Sequence, residues 1–218
     1  MNPDLSTDRY LEALGKDRCP LCFLTASSSI ERLKSFLSEY VNDPKVRKTL
    51  SASNGFCRRH AWQAVSSGNN AVGVGLVHHA LLTEGLEKIG KNPSGFPLFK
   101  KTKAPEECPL CSWESHVDDN FSRQFAACWA DSSKLREEFD KNGILCLHHL
   151  ETALRWIPKG AAKDSLAAEG RKALERLLVE LKDFLDKQDY RRSHEKDGGE
   201  WDSWIRAVRM MVGEKGVF

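Results

Sequence analysis

The chain has 218 residues, 40% of them hydrophobic and 29% charged, enough for one sizeable core or two small ones in an ordinary soluble protein. A net charge of +2 and a pI near 8.1 exclude the strong basic excess that marks an obligatory polyanion partner. No apolar run approaches the roughly 18 residues of a membrane span, and Met1-Asn2-Pro3-Asp4 begins no basic, apolar leader, so cytoplasmic residence is expected.

Leu5 to Leu14 predicts a short helix stopped by Gly15, which carries the chain to Cys19-Pro20-Leu21-Cys22. Beyond it, Ile30, Leu33, Phe36, Leu37 and Tyr40 recur at three-to-four spacing and predict an amphipathic helix that Asn42-Asp43-Pro44 ends. A short helix over Val46 to Leu50 follows, then a Ser/Asn/Gly turn and a helix bearing Cys57 and His60, broken at Gly68-Asn69-Asn70. Leu76, Val77, Ala80, Leu81 and Ile89 mark another helix, although Gly73, Gly75 and Gly85 each cost about 1 kcal/mol against alanine.

Prolines, glycines and Lys100, Lys101 and Lys103 then make residues 93–105 a solvated connector between a first helical repeat, 1–92, and a second, 106–190. In the second repeat the order restarts. Val117, Phe121, Phe125 and Trp129 form an i,i+4 stripe, Leu135 to Phe139 matches Val46 to Leu50, and Gly143 leads into a helix bearing Cys146 and His149. Leu166, Leu174, Leu177, Leu178, Leu181 and Leu185 predict a long amphipathic helix. The remaining segment, 191–218, carries Trp201, Trp204, Ile205, Val208 and Met211 on one helical face, expected to pack across both repeats, with Arg206 and Arg209 on a solvated side. No alternating pattern of useful length occurs, so the fold class is all-α: two tandem helical repeats plus a closing helix.

The chemistry lies in a duplicated pattern. Cys19-Pro20-Leu21-Cys22 and Cys108-Pro109-Leu110-Cys111 are each followed, after 34 residues, by a Cys-x-x-His, Cys57 with His60 and Cys146 with His149; all eight residues repeat at an offset of 89. Three thiolates and one imidazole per copy match a closed, four-coordinate Cys3His zinc site. The i,i+3 spacing places each Cys and His on one helix face, and a first-turn position lets the helix dipole stabilise thiolate. Pro20 and Pro109 fix φ in what reads as a short turn. Of the seven cysteines Cys128 is left over as core, an odd count that favours metal binding in a reducing interior over a disulfide framework. Because each copy supplies four ligands, each is expected to fill its own site; the alternative crosses Cys19 and Cys22 with Cys146 and His149. The repeat register selects His149 over its neighbour His148.

With its paired Cys-Pro-Leu-Cys units, its later Gly-x-Cys-x-x-His stretches and a closing Trp/Arg-rich helix from Trp201 to Gly213, the chain resembles an uncharacterised group of bacterial and archaeal proteins. The resemblance implies metal binding and no activity. One departure stands out: Gly55 lies two residues before its cysteine and Gly143 three, so the second turn is expected to differ.

Four firm ligands per metal leave no open coordination position, and there is no phosphate loop, nucleophile elbow or dinucleotide fingerprint. The expectation is a non-enzymatic protein with two structural zinc ions, acting on another protein as an adaptor, regulator or assembly factor. Two other readings use the same ligands: a zinc-thiolate redox sensor and an iron–sulfur protein. A nucleic-acid reading rests on Arg58, Arg59, Lys100, Lys101, Lys103, Arg191 and Arg192, which are dispersed among 31 acidic residues.

Overall fold

The protein is described by a computed structural model over residues 3–15, 18–67, 70–91, 107–189, 191, 195–196 and 198–215. Ten helices, and no strand, occur among these residues. They are α1 (Pro3–Leu14), α2 (Pro20–Ser38), α3 (Pro44–Ala52), α4 (Arg58–Ser66), α5 (Ala71–Lys91), α6 (Pro109–Asp131), α7 (Ser133–Asn142), α8 (Leu147–Trp156), α9 (Ala161–Lys187) and α10 (Ser203–Val212). The expected connector, 93–105, lies outside the described residues, as do Lys100, Lys101, Lys103 and Arg192.

Local chemistry explains where the helices start. Asp43 caps α3 by accepting from the Lys45 and Val46 amides, with Pro44 at the first helical position, and the Ser132 hydroxyl caps α7 by accepting from the Leu135 amide. The glycines of α5 do not break it, and Gly73 has a packing reason: a Cβ there would lie 2.1 Å from the Leu37 carbonyl oxygen of α2.

The chain forms two compact units that do not follow the order of the sequence copies. One comprises Met1–Ala26 with Val117–Phe218, and the other, Ser27–His116, is inserted between those halves in sequence. The divisions fall inside α2 and α6, so each of these helices contributes residues to both units.

In the first unit Tyr10, Leu21, Phe125, Trp129, Leu135 and Leu166 are fully buried. Tyr10 meets Phe125 edge-on at 5.4 Å and Trp129 meets Phe139 edge-on at 5.2 Å, the geometry that ring quadrupoles favour. Tyr10 donates to the Phe121 carbonyl (2.9 Å) and Trp129 Nε1 to that of Ala162 (3.0 Å), so neither polar tip is left unpaired. The second unit packs Leu33, Phe36, Leu37, Leu50, Val77 and Leu110 together, with Phe56 edge-on to Phe36.

The closing helix departs from expectation. Ser203 and Met210 form its buried side, against α8 and α9, whereas Trp201, Trp204, Val208 and Met211 are between 51% and 63% exposed. Arg206 turns the helix this way. Its guanidinium donates to Asp202 (2.7 Å), to Glu180 of α9 and to the Gly199 carbonyl (2.7 Å), tying down the side that carries Ser203 and Met210 while Trp204, Val208 and Met211 face out.

Phe125→Ala should lower unfolding free energy by about 3–5 kcal/mol, as for a large buried aromatic. Trp204→Ala should change it by no more than about 0.5 kcal/mol. Urea denaturation followed by circular dichroism measures both, and a large loss at Trp204 would return the stripe to the core.

Candidate metal centres

All eight predicted ligands sit at helix starts, in one recurring arrangement. Cys19, Cys57, Cys108 and Cys146 each precede the first residue of a helix, and the carbonyl of each accepts that helix's first bond, from Phe23, Ala61, Ser112 and Leu150 at 2.8–3.1 Å. The partner Cys22, His60, Cys111 or His149 follows three residues later, within the first turn. The Cys-Pro-Leu-Cys units are therefore helix starts rather than free turns, with Pro20 and Pro109 at the first helical position, where a missing N–H costs nothing.

The pairing is crossed. Cys19, Cys22, Cys146 and His149 form one group in the first unit, and Cys57, His60, Cys108 and Cys111 the other in the second unit, each with its ligand atoms within 4.8 Å of one another. The expectation that each sequence copy fills its own site is thus overturned. The starts of α2 and α8 meet at the first centre, those of α4 and α6 at the second.

In the first centre Cys22 Sγ is 3.6 Å from Cys146 Sγ, and His149 Nδ1 lies 3.4, 3.3 and 3.1 Å from Cys19, Cys22 and Cys146. In the second, Cys111 Sγ is 3.6 Å from Cys57 Sγ, and His60 Nδ1 lies 3.3, 3.5 and 3.5 Å from Cys57, Cys108 and Cys111. Metal–sulfur bonds of about 2.3 Å and a metal–nitrogen bond of about 2.0 Å in a tetrahedron give edges of roughly 3.8 Å (S–S) and 3.5 Å (S–N). Both groups thus have the dimensions of a single four-coordinate ion. None of the seven cysteines forms a disulfide, and Cys128 packs in the first core.

Each imidazole turns its other nitrogen to a buried carboxylate. His149 Nε2 is 2.6 Å from Asp118 Oδ1, which also accepts from the Thr25 hydroxyl at 3.0 Å. His60 Nε2 is 3.0 Å from Glu114 Oε1, close enough for charge contact although its N–H direction does not align for a hydrogen bond. Glu114 accepts from the Ser29 hydroxyl (2.6 Å) and from Arg59. His148 lies outside the ligand group, its Nε2 3.0 Å from Asp118 Oδ2.

Sequence reading missed Glu114, Asp118, Thr25 and Ser29 as supports, although a signal was there: Thr25 and Glu114, and Ser29 and Asp118, occupy matching positions at the same offset of 89 as the ligands. Arg59, a candidate phosphate contact in the sequence, is committed to Glu114, and the Arg191 amide donates to Asp189.

The metal-free electrostatics favour thiolate at Cys146 and Cys108 and imidazolium at His149 and His60. Burial opposes charge on His149, but Asp118 and Cys146 outweigh it and push the imidazole up to about 11. Hydrogen bonds from Cys19 and Cys22 hold Cys146 far below the usual thiol range, while burial pushes Cys19 well above it. In the second centre burial is again outweighed, by Cys108 and Glu114, and His60 is raised to about 9. Cys108 is lowered to about 6, its burial offset by the His60 contact and by amides at the start of α6, and burial raises Cys111 to about 12. The centres differ in access: all four ligands of the first are buried, whereas Cys57 and Cys111 of the second are partly exposed.

The family described as "Family of unknown function (DUF6062)" matches residues 7–216. An "Uncharacterized 23.9 kDa protein in xynA 3'region" from Caldicellulosiruptor sp. (strain Rt8B.4) is 27% identical over 207 residues, covering 93% of this chain and 98% of the relative. No solved structure matches the chain.

Crossed pairing has a stoichiometric signature. Cys19→Ser with Cys146→Ser should remove one equivalent of bound metal and leave the other, whereas Cys19→Ser with Cys57→Ser should disturb both. Cobalt(II) titration followed by its thiolate charge-transfer band counts the equivalents, and the reverse ranking would restore pairing within each copy.

Proposed function

We propose that this chain, which belongs to the DUF6062 family of unknown function, is a helical protein stabilised by two structural zinc ions that acts through its surface as an adaptor, regulator or assembly factor. The observation that carries the reading is the pair of closed four-donor groups, Cys19, Cys22, Cys146 and His149, and Cys57, His60, Cys108 and Cys111, with the edge lengths of a tetrahedral ion. Soft thiolates with one imidazole suit zinc, and four protein donors leave no coordination position for a substrate. An iron–sulfur cluster is disfavoured because its cysteines ligate separate irons, whereas these donors close around one point.

The energetic role follows from the topology. Structural zinc contributes apparent free energies of about 10–16 kcal/mol in small zinc-binding domains, as large as the net stability of a typical fold, about 5–15 kcal/mol. Here each ion would join helix starts that are distant in sequence, so metal binding and folding would be one process. A protein partner is supported by the exposed apolar stripe of α10, since contiguous apolar surface marks interaction sites. No described helix is long and apolar enough to cross a membrane.

A second reading, zinc-thiolate redox sensing, is favoured by one observation: the partial exposure of Cys57 and Cys111, whose sulfurs lie 3.6 Å apart. Peroxide would oxidise this thiolate pair to a disulfide, itself reduced to water, and release the second zinc before the first.

Native protein should contain two zinc ions per chain, and chelation should abolish cooperative melting; metal analysis showing less than one equivalent, or a melting curve unmoved by chelation, would defeat the structural reading. At pH 7 the metal-free His60 and His149 carry protons that zinc must displace, so affinity should increase with pH. For the second centre that increase should become shallower above about 9, where His60 loses its proton unaided. Chelator competition across this range measures the slope, and a flat profile would contradict the assigned protonation.

A further inference from the structure

Within the first unit, α9 and α10 pack side by side and antiparallel. Three contacts along the pair fix this direction: Lys187 with Glu200 at 2.6 Å, Glu180 with Arg206, and Ala173 and Leu177 packed with Met210. On one side of this seam Arg176 and Glu180 of α9 and Arg206 and Arg209 of α10 line a cavity. At about 100° per residue, Leu174, Leu178, Leu181 and Leu185 lie round α9 from Leu177 in the opposite direction, and Ala207, Met211 and Trp204 lie so from Met210 on α10. Because the helices are antiparallel, both sets turn to the same side, and the pair has one polar and one apolar flank.

The apolar flank is open. Leu178, Leu185, Trp204, Val208 and Met211 are between 51% and 64% exposed, and Leu174, Leu181 and Ala207 are half-buried among them. Together they expose on the order of 650 Å² per chain, so two such faces would bury about 1,300 Å², within the range of about 1,200–2,000 Å² that a stable interface needs. The flank is also electrically neutral. Arg206 and Arg209 lie on the cavity side of α10, and the charges that border the leucines of α9 are paired within their own helix, Arg171 with Glu175 and Lys182 with Asp186, each at 2.7 Å. A charged partner finds nothing complementary on such a face. A two-fold contact, in contrast, sets a patch against itself, so a net charge would repel its own copy and neutrality is what it requires. Contacts between identical subunits are also more apolar than those between transient partners.

We propose that this flank is the contact between two copies of the chain, with α9 and α10 of one packing on α9 and α10 of the other as a four-helix layer. The inference rests on the reading of a protein that acts through its surface and deepens it by naming the partner as a second copy; it uses neither metal centre. Trp204 stabilises the contact and not the single chain, so its removal shows in association and, at concentrations below the dissociation constant, not in unfolding.

The test is sedimentation equilibrium of zinc-loaded full-length protein from about 1 to about 100 µM. Two copies per particle are expected, half dissociated at or below about 10 µM, and salt at about 0.5 M should not loosen them. Each substitution enters a two-fold contact twice, so Trp204→Ala should weaken association at least about tenfold, and Leu178→Glu combined with Val208→Glu should leave a monomer at about 100 µM. Leu82→Glu, at an exposed leucine of α5 in the other unit, should leave association unchanged. Helicity recorded on each variant shows that it is folded, and should the two glutamates unfold the chain, Trp204→Ala decides the outcome. A native chain that is monomeric at about 100 µM, a dimer that survives both glutamates, or a dimer lost through Leu82→Glu would each overturn the proposal. A monomer that floats with vesicles of neutral phosphatidylcholine would overturn it in favour of a membrane surface. Zinc is counted on the same samples: a monomer holding two ions defeats this inference alone, and a folded dimer without zinc defeats the metal reading alone.

Discussion

The contact on which the structure depends is between soft anionic donors and the positive ends of helices. A helix start leaves several amides without partners and carries a partial positive charge, and most helices meet this need with a capping side chain. That is what Asp43 does for α3 and Ser132 for α7. At α4 and α8 the capping position holds Cys57 and Cys146 instead, and neither side chain makes a capping hydrogen bond. Those two helices therefore lack the local device that α3 and α7 have. Their starts meet those of α6 and α2, so that cysteine and histidine side chains, rather than hydroxyls and carboxylates, gather at the helix ends.

Crossed pairing gives this contact a long reach. From Cys22 to Cys146 the chain passes through both donor pairs of the second centre, Cys57 with His60 and Cys108 with Cys111, so the loop closed by the inner group is nested in sequence within that closed by the outer. Loop-closure entropy grows only slowly with length, at about 0.6 kcal/mol per doubling, and so the crossed arrangement costs little more than pairing within each copy. What it changes is connectivity: neither sequence copy has a complete centre without the other. A duplication that looks in sequence like two independent modules is thus divided into an inserted unit and an enclosing one.

Much of this was legible in the residues. The gathering of the eight Cys and His residues into two groups, the all-helical character and the positions of α1, α3, α7 and α9 follow from soft-donor spacing, apolar periodicity and capping residues. The difference between the two glycine turns was also readable: Gly55 adopts a positive φ of 89°, whereas Gly143 ends α7 in extended conformation. Pairing was not readable, because the four half-sites share one pattern, Cys at the cap and a donor three residues on, so any first half fits any second half chemically. The orientation of α10 escaped for a different reason. Periodicity reports that a helix is two-faced but not which face turns inward, and here the triple engagement of Arg206 outweighs the apolar stripe.

The supports behind the histidines show how far two centres of common pattern have diverged. Both carboxylates come from α6 and both hydroxyls from α2, although the offset of 89 pairs Thr25 with Glu114 and Ser29 with Asp118. Carboxylate and hydroxyl have therefore exchanged positions between the centres while each histidine keeps an acidic partner, the arrangement that fixes ring orientation and raises ligand basicity. The exchange has electrostatic consequences. Asp118 faces the buried His149 and the exposed His148, whereas Glu114 also holds Arg59, which places a guanidinium beside the centre whose sulfurs are partly exposed. A nearby guanidinium favours the thiolate form, and electropositive, partly exposed surroundings are those in which cysteine sulfur is reactive. At the first centre burial keeps reactants from the sulfurs, and so the same residue pattern stands in two physically distinct environments, one closed to solvent and one partly open to it.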